Sequence, residues 1–126
     1  MKLWIDDVRP APQGYDWIKS VNEAKKFIIG SEECVQRCMD RGRKCFLERD
    51  YKGRDRCYNA ANQVDISIID IDHDAGDYAF DGGDYIKLLD WLEETNRNYT
   101  IHIHSMNPVG VANMRAIIKR NGWKEV

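Results

Sequence analysis

Three short apolar runs, each followed by a stretch with helical spacing, organise this chain. The first, Lys2 to Asp6 ("KLWID"), reads as a strand. Ser20 to Gly30 ("SVNEAKKFIIG") then carries the marks of a helix: Ser20 as N-cap, Glu23 closing a capping box, and Gly30 as the stop. The second run, Val64 to Asp70 ("VDISIID"), is a strand. A loop, "AGDYAFDGG", follows it, and a helix from Gly83 to Thr95 sets Tyr85, Leu88, Leu89 and Leu92 along one side. The third run, Thr100 to Ser105 ("TIHIHS"), is a strand, Pro108 marks the loop after it, and Val111 to Gly122 is a helix stopped by its glycine.

Strands alternating with helices predict a parallel sheet covered on both faces, because a right-handed crossover is the ordinary link between parallel strands. The expected architecture is a three-layer, doubly wound α/β domain spanning residues 1–126. Residues 31–62 interrupt the alternation and read as an insertion after the first helix, helical around "SEECVQRCMDR" and irregular through "DYKGRDR". This segment holds all four cysteines, Cys34, Cys38, Cys45 and Cys57. Their spacing leaves free thiols, disulfides and a zinc site open, and a reducing compartment favours thiols.

Charge and composition narrow the classes. The formal net charge of −2 offers duplex DNA no general attraction, although residues 31–62 carry eight Lys/Arg against six Asp/Glu. No apolar run is long enough to span a bilayer, and the start lacks the apolar stretch of a secretory signal. A cytoplasmic protein with no membrane partner is the expectation.

In open parallel sheets, ligands bind beyond the carboxyl ends of the strands, so those ends are where chemistry is sought. The first strand ends in Asp6-Asp7, with Arg9 close behind. The second ends in Asp70, Asp72, His73 and Asp74, and the third in His104 and Ser105, with Asn107 in the loop. Carboxylates gathered at one edge repel one another unless their pKa values rise or a cation sits between them. A cation bound by Asp6, Asp7, Asp72 and Asp74 is the expected resolution. Oxygen ligands suit Mg²⁺, and an added imidazole suits Mn²⁺, Fe²⁺ or Zn²⁺; a mainly carboxylate set favours Mg²⁺ or Mn²⁺ over Zn²⁺. His102 alternates with Ile101 and Ile103, reads as a hydrogen-bonded structural histidine, and is left out of the site. Trp4, Trp91 and Trp123 read as core packing, whereas Tyr15, Trp17, Tyr78 and Phe80 lie near predicted loops.

The stretches "LWIDDVRPAP", "IDHDAG" followed by "GGDYIKLLDWLEE", and "IHIHSMNPVG" resemble the cyclic-phosphate processing receiver domain family, relatives of response-regulator receivers, over most of the chain except residues 31–62. The resemblance implies a receiver-like (flavodoxin-like) sheet with an acidic Mg²⁺ pocket. It places Asp6 and Asp7 at the acidic pair, Asp72 at the phosphoacceptor position and Ser105 at the hydroxyl position, with Asp70 as the rival acceptor if the strand ends early. Two features depart from an ordinary receiver: His73, Asp74 and His104 are extra, and the late lysine has no clear counterpart. The resemblance to a family predicted to process cyclic phosphates gives the histidines a use. The expected function is a metal-dependent phosphoesterase with Asp72, His73 and His104 as catalytic groups and Arg9, Ser105 and Asn107 on phosphate oxygens. The expected partner is a small phosphorylated ligand or an RNA end, and no protein partner is legible. A phosphoacceptor signalling module and a non-catalytic nucleotide-binding domain are the alternatives.

Overall fold

The computed structural model describes all residues, Met1–Val126. One four-stranded sheet is built from β1 (Lys2–Ile5), β2 (Asp16–Ile18), β3 (Ile68–Ile71) and β4 (Ile101–Ile103), in the order β2-β1-β3-β4 and parallel throughout. Four helices accompany it: α1 (Val21–Leu47), α2 (Tyr51–Val64), α3 (Ile86–Glu94) and α4 (Pro108–Asn121). This is a receiver-like α/β fold. No helix is long and apolar enough to cross a membrane. The chain forms two compact units, Met1–Lys26 with Ile66–Val126, and Phe27–Asp65.

In the first unit, strand alternation gives the two faces different characters. Leu3, Ile5, Ile69, Ile71 and Ile101 point to one side and are fully buried with Leu88, Leu89, Leu92 and Met114 from α3 and α4. Burial of this kind contributes about 1.5–3 kcal/mol per side chain. The other face carries Trp4, Trp17, Asp70 and His102, and of these only Asp70 is buried. Register sets their neighbours: Trp4 lies beside Asp70, and Asp70 beside His102. β1 reaches β2 through residues 6–15 without a helix, so this loop leaves the carboxyl edge of the sheet at Asp6 and runs back to where the parallel strand β2 begins, level with Leu3. A single bridge from Glu125 to Ile101 is all that follows α4 in the sheet, and His102 Nδ1 lies 2.6 Å from the Val126 carbonyl oxygen. His102 is thereby held at the chain end.

Several boundaries differ from the sequence reading. Gly30 does not stop the first helix, which continues to Leu47. Glycine weakens a helix interior by about 1 kcal/mol but ends one only where a left-handed residue is needed, and Gly30 is not left-handed. Residues 50–56, expected to be irregular, hold the cap and first turns of α2: Asp50 Oδ1 accepts from the Gly53 N–H at 2.9 Å. A Cβ at position 53 would run into that carboxylate, so the glycine admits the cap. Trp17, placed near a loop, lies in the edge strand β2, whose three residues are too few to show a period. β3 begins at Ile68 and ends at Ile71, which puts Asp70 inside the strand and Asp72 just beyond it. At the start of α1, Ser20 Oγ accepts from the Glu23 N–H as expected, but Glu23 answers to the Lys19 N–H, one residue earlier than a standard capping box.

The second unit is a helical hairpin, the body of α1 joined to α2 by residues 48–50. Ser31 Oγ donates to the Val64 carbonyl at 2.6 Å, and the Tyr58 ring occupies the space a side chain at Gly42 would need. All four cysteines are free thiols and half-buried, and burial together with the neighbouring Cys57 pushes the Cys45 thiol up.

Candidate active site

The strand ends bring acidic and imidazole groups from β1, β3 and β4 together, as the loops that leave them require. Asp6 follows β1 and is fully buried. Its Oδ1 accepts from the backbone N–H groups of Val8 (2.9 Å) and Arg9 (2.8 Å), so it forms the turn that opens the β1–β2 loop. Its Oδ2 lies 3.0 Å from His104 Nε2. The other ring nitrogen, Nδ1, lies 2.6 Å from Asp70 Oδ1. Each nitrogen of His104 thus faces a carboxylate oxygen, an arrangement that favours the imidazolium in the metal-free protein; Nε2 gives up its proton before it can ligate an ion. Burial pulls the His104 pKa down, and the hydrogen bonds and charges of Asp70 and Asp6 outweigh it, leaving the pKa raised. For Asp6 burial pushes up, but the Arg9 and Val8 N–H groups and His104 prevail and hold its carboxyl below the usual value.

Trp4 packs its indole flat on His104, with centroids 3.8 Å apart and planes 3° from parallel. Its Nε1 donates to the Arg9 carbonyl at 2.8 Å, and the Trp17 indole donates to the Asp6 carbonyl at 2.7 Å. Both tryptophans therefore support the pocket from the sheet face opposite the aliphatic core. Beneath the carboxylates, fully buried Tyr85 donates to the Lys19 carbonyl at 2.7 Å. Burial and the nearby charges of Asp7, Asp6 and Asp72 raise its pKa.

The residues anticipated from sequence fall into three groups. Asp6, Asp72 and His104 converge, each offering one ligand atom within 4.8 Å of the others. Asp72 is half-buried; its N–H donates to the Ile5 carbonyl, which ties it to the end of β1. Asp7 stands beside them, its pKa raised by burial and by the charges of Asp6 and Asp72. Gly76, with φ +53°, passes so close that a Cβ there would collide with the Asp7 carboxylate.

His73 and Asp74 form the second group, a pair of their own. His73 Nδ1 lies 2.8 Å from Asp74 Oδ1 and 3.5 Å from Asn107 Nδ2. The shorter contact is satisfied by the tautomer with its proton on Nδ1, which leaves Nε2 a lone pair. The ring rests against Gly110 in the first turn of α4, where a Cβ would strike it. Asp74 is largely exposed and lies outside the converging set.

Arg9, Ser105 and Asn107 make up the third group, at the rim. Arg9 Nη1 donates to the His104 carbonyl at 3.0 Å. Asn107 is the N-cap of α4, accepting from the Gly110 N–H at 3.0 Å while its own N–H donates to Ser105 Oγ at 3.1 Å. Its side-chain oxygen is therefore committed to the helix, and only the amide nitrogen is offered to a ligand.

The donor set fits a divalent cation. Asp6, Asp7 and Asp72 crowd negative charge that one imidazolium balances only in part, as the raised Asp7 pKa registers. Two carboxylate oxygens and an imidazole nitrogen within reach of one another suit Mn²⁺, Fe²⁺ or Zn²⁺ by donor type, and Mg²⁺ where the carboxylates alone hold the ion. Trp4 and Asp70 hold His104 in place; the sequence reads Trp4 as core and Asp70 only as a rival acceptor. Their one sequence signal is alternation: Trp4 shares a face with Asp6, and Asp70 with Asp72.

No curated protein and no solved structure matches the chain. The family model of the cyclic-phosphate processing receiver domain matches residues 43–120, more than half of the chain. The match takes in the "IDHDAG" and "IHIHSMNPVG" stretches and begins inside the segment read as an insertion, whose residues 43–62 it includes. With the parallel receiver-like sheet and the acidic cluster at its carboxyl edge, this match establishes that the chain belongs to the cyclic-phosphate processing receiver domain family.

Proposed function

We propose that the protein is a metal-dependent phosphoesterase that opens a cyclic phosphodiester on a nucleotide, an RNA end or a ribose derivative. One observation carries this reading: Asp6, Asp72 and His104, from the ends of three adjacent parallel strands, present ligand atoms within 4.8 Å of one another in a chain of this family. Asp6, Asp72 and His104 would hold a divalent cation, Mg²⁺ or Mn²⁺ before Zn²⁺, with Asp7 beside them. When bound, such an ion neutralises charge on the phosphoryl oxygens and lowers the pKa of water.

The chain's own groups supply the remaining roles. Asp74 orients His73, whose Nε2 takes a proton from the attacking water as oxygen adds to phosphorus, and returns it to the alkoxide released when the ring P–O bond breaks. Arg9, Ser105 Oγ and the Asn107 amide nitrogen stand around the mouth, where they hold non-bridging oxygens. Asp70 keeps Nδ1 of His104 engaged, so Nε2 is the nitrogen that faces Asp6 and Asp72. The reading places this chemistry in the cytoplasm.

A phosphoacceptor role has one observation in its favour: Asp72 is half-buried at the end of β3, open to attack on a phosphodonor. Incubation with a small phosphodonor separates the two. A stable acyl-phosphate at Asp72 supports the acceptor, and metal-dependent release of a phosphomonoester from a cyclic phosphate supports the esterase.

A further inference from the structure

The hairpin unit carries a surface that the site does not use. At its turn, Phe46 and Leu47 end α1 and Tyr51 begins α2, with 50%, 74% and 50% of their surfaces exposed. The two rings are not scattered: their centroids lie 6.1 Å apart at 64°. The Arg54 guanidinium lies 5.8 Å from the Phe46 centroid and 5.2 Å from that of Tyr51, and pairs with Asp55 at 3.0 Å. Around them, residues 41–56 carry seven Lys/Arg against three Asp/Glu, a net of +4 in a chain whose net is −2. Arg41, Arg43, Lys44, Arg49, Lys52 and Arg56 are all exposed.

We infer that this tip is a binding site for single-stranded nucleic acid. Half-exposed rings beside the Arg54 guanidinium give unstacked bases a surface to stack on, and the flanking cations meet the phosphates. An acidic peptide would use the charge and leave the rings without a role. An apolar protein partner would bury the rings and also the surrounding charge, at a desolvation cost. Duplex nucleic acid hides the base faces that the rings would contact. The inference goes beyond the proposed esterase and needs no metal.

The test is fluorescence anisotropy of the full chain with labelled oligouridylate and oligothymidylate, in chelator so that the acidic pocket takes no part. Binding should weaken more than about tenfold between about 50 mM and about 200 mM salt. Phe46→Ala and Tyr51→Ala should each weaken it about fivefold or more, with unchanged far-ultraviolet circular dichroism. If either alanine variant loses helix, Phe46→Leu and Tyr51→Leu, which keep apolar bulk without a π-face, are read in its place. Tighter binding of uridylate than thymidylate would mark RNA as the ligand class, and the reverse DNA; either supports the site. No binding at about 50 mM salt, binding indifferent to both rings, or equal binding of duplex or polyglutamate would overturn it.

Discussion

Asp70 Oδ1 lies 2.6 Å from His104 Nδ1, and the carboxylate it belongs to is nearly sealed from solvent inside β3. That contact turns an otherwise puzzling buried charge into the support for the imidazole that faces Asp6 and Asp72.

Asp70→Asn should therefore act at a distance from any ligand. An amide in place of the carboxylate removes a charge-assisted hydrogen bond in a buried setting, costing about 1–3 kcal/mol in urea unfolding. It should also weaken Mn²⁺ binding about 10- to 100-fold, as loss of a group behind a histidine ligand does. Calorimetric Mn²⁺ titration reads the second effect independently of turnover.

The raised His104 pKa gives stability a pH slope in the metal-free protein. A histidine whose pKa is higher when folded contributes fully below its unfolded value of 6.5, and the contribution fades as pH rises through the folded value. Asp6, with its lowered pKa, contributes above 3.8 and loses its share as pH falls below that. Urea midpoints in chelator should therefore decline as pH climbs above 6.5, and His104→Gln should flatten that decline.

Gly76 and Gly110 are predicted to be intolerant of even a methyl group, for different reasons. Gly76→Ala places a side chain at φ +53° and against Asp7, so it should cost more than about 1 kcal/mol and weaken Mn²⁺ binding. Gly110→Ala pushes on the His73 ring, so it should lower turnover with a smaller effect on Mn²⁺ affinity. Paired titration and rate measurements distinguish them.

Asn107 has two separable jobs. Asn107→Ala removes the cap of α4 and should cost about 0.5–2 kcal/mol, whereas Asn107→Ser keeps a capping oxygen and should hold most of that stability. A rise in KM for Asn107→Ser at nearly unchanged stability would assign the amide nitrogen to phosphate.

The convergence of Asp6, Asp72 and His104 was legible because each sits at the end of an apolar run, and parallel strands bring such ends to one edge. Asp70 reads from sequence only as a rival acceptor, since its support of His104 depends on register: it lies beside His102, and the partner it meets is the imidazole two residues further on. No single strand encodes that diagonal. The stacking of Trp4 on His104 was hidden for the same reason, because an indole on a short strand reads as core. Glycine is weak punctuation within a helix: Gly30, which reads as a stop, is simply tolerated, and Gly53 makes room for the Asp50 cap.

The most direct measurement is a hydrolysis assay of the purified protein on 2′,3′-cyclic and 3′,5′-cyclic nucleotides and cyclic-phosphate ribose compounds, with Mg²⁺, Mn²⁺ or Zn²⁺ and a chelator control. The account predicts phosphomonoester formation that requires the metal and is lost in Asp72→Asn. Metal binding without turnover of any cyclic phosphate, in a protein whose Asp72 is labelled by a phosphodonor, would contradict it.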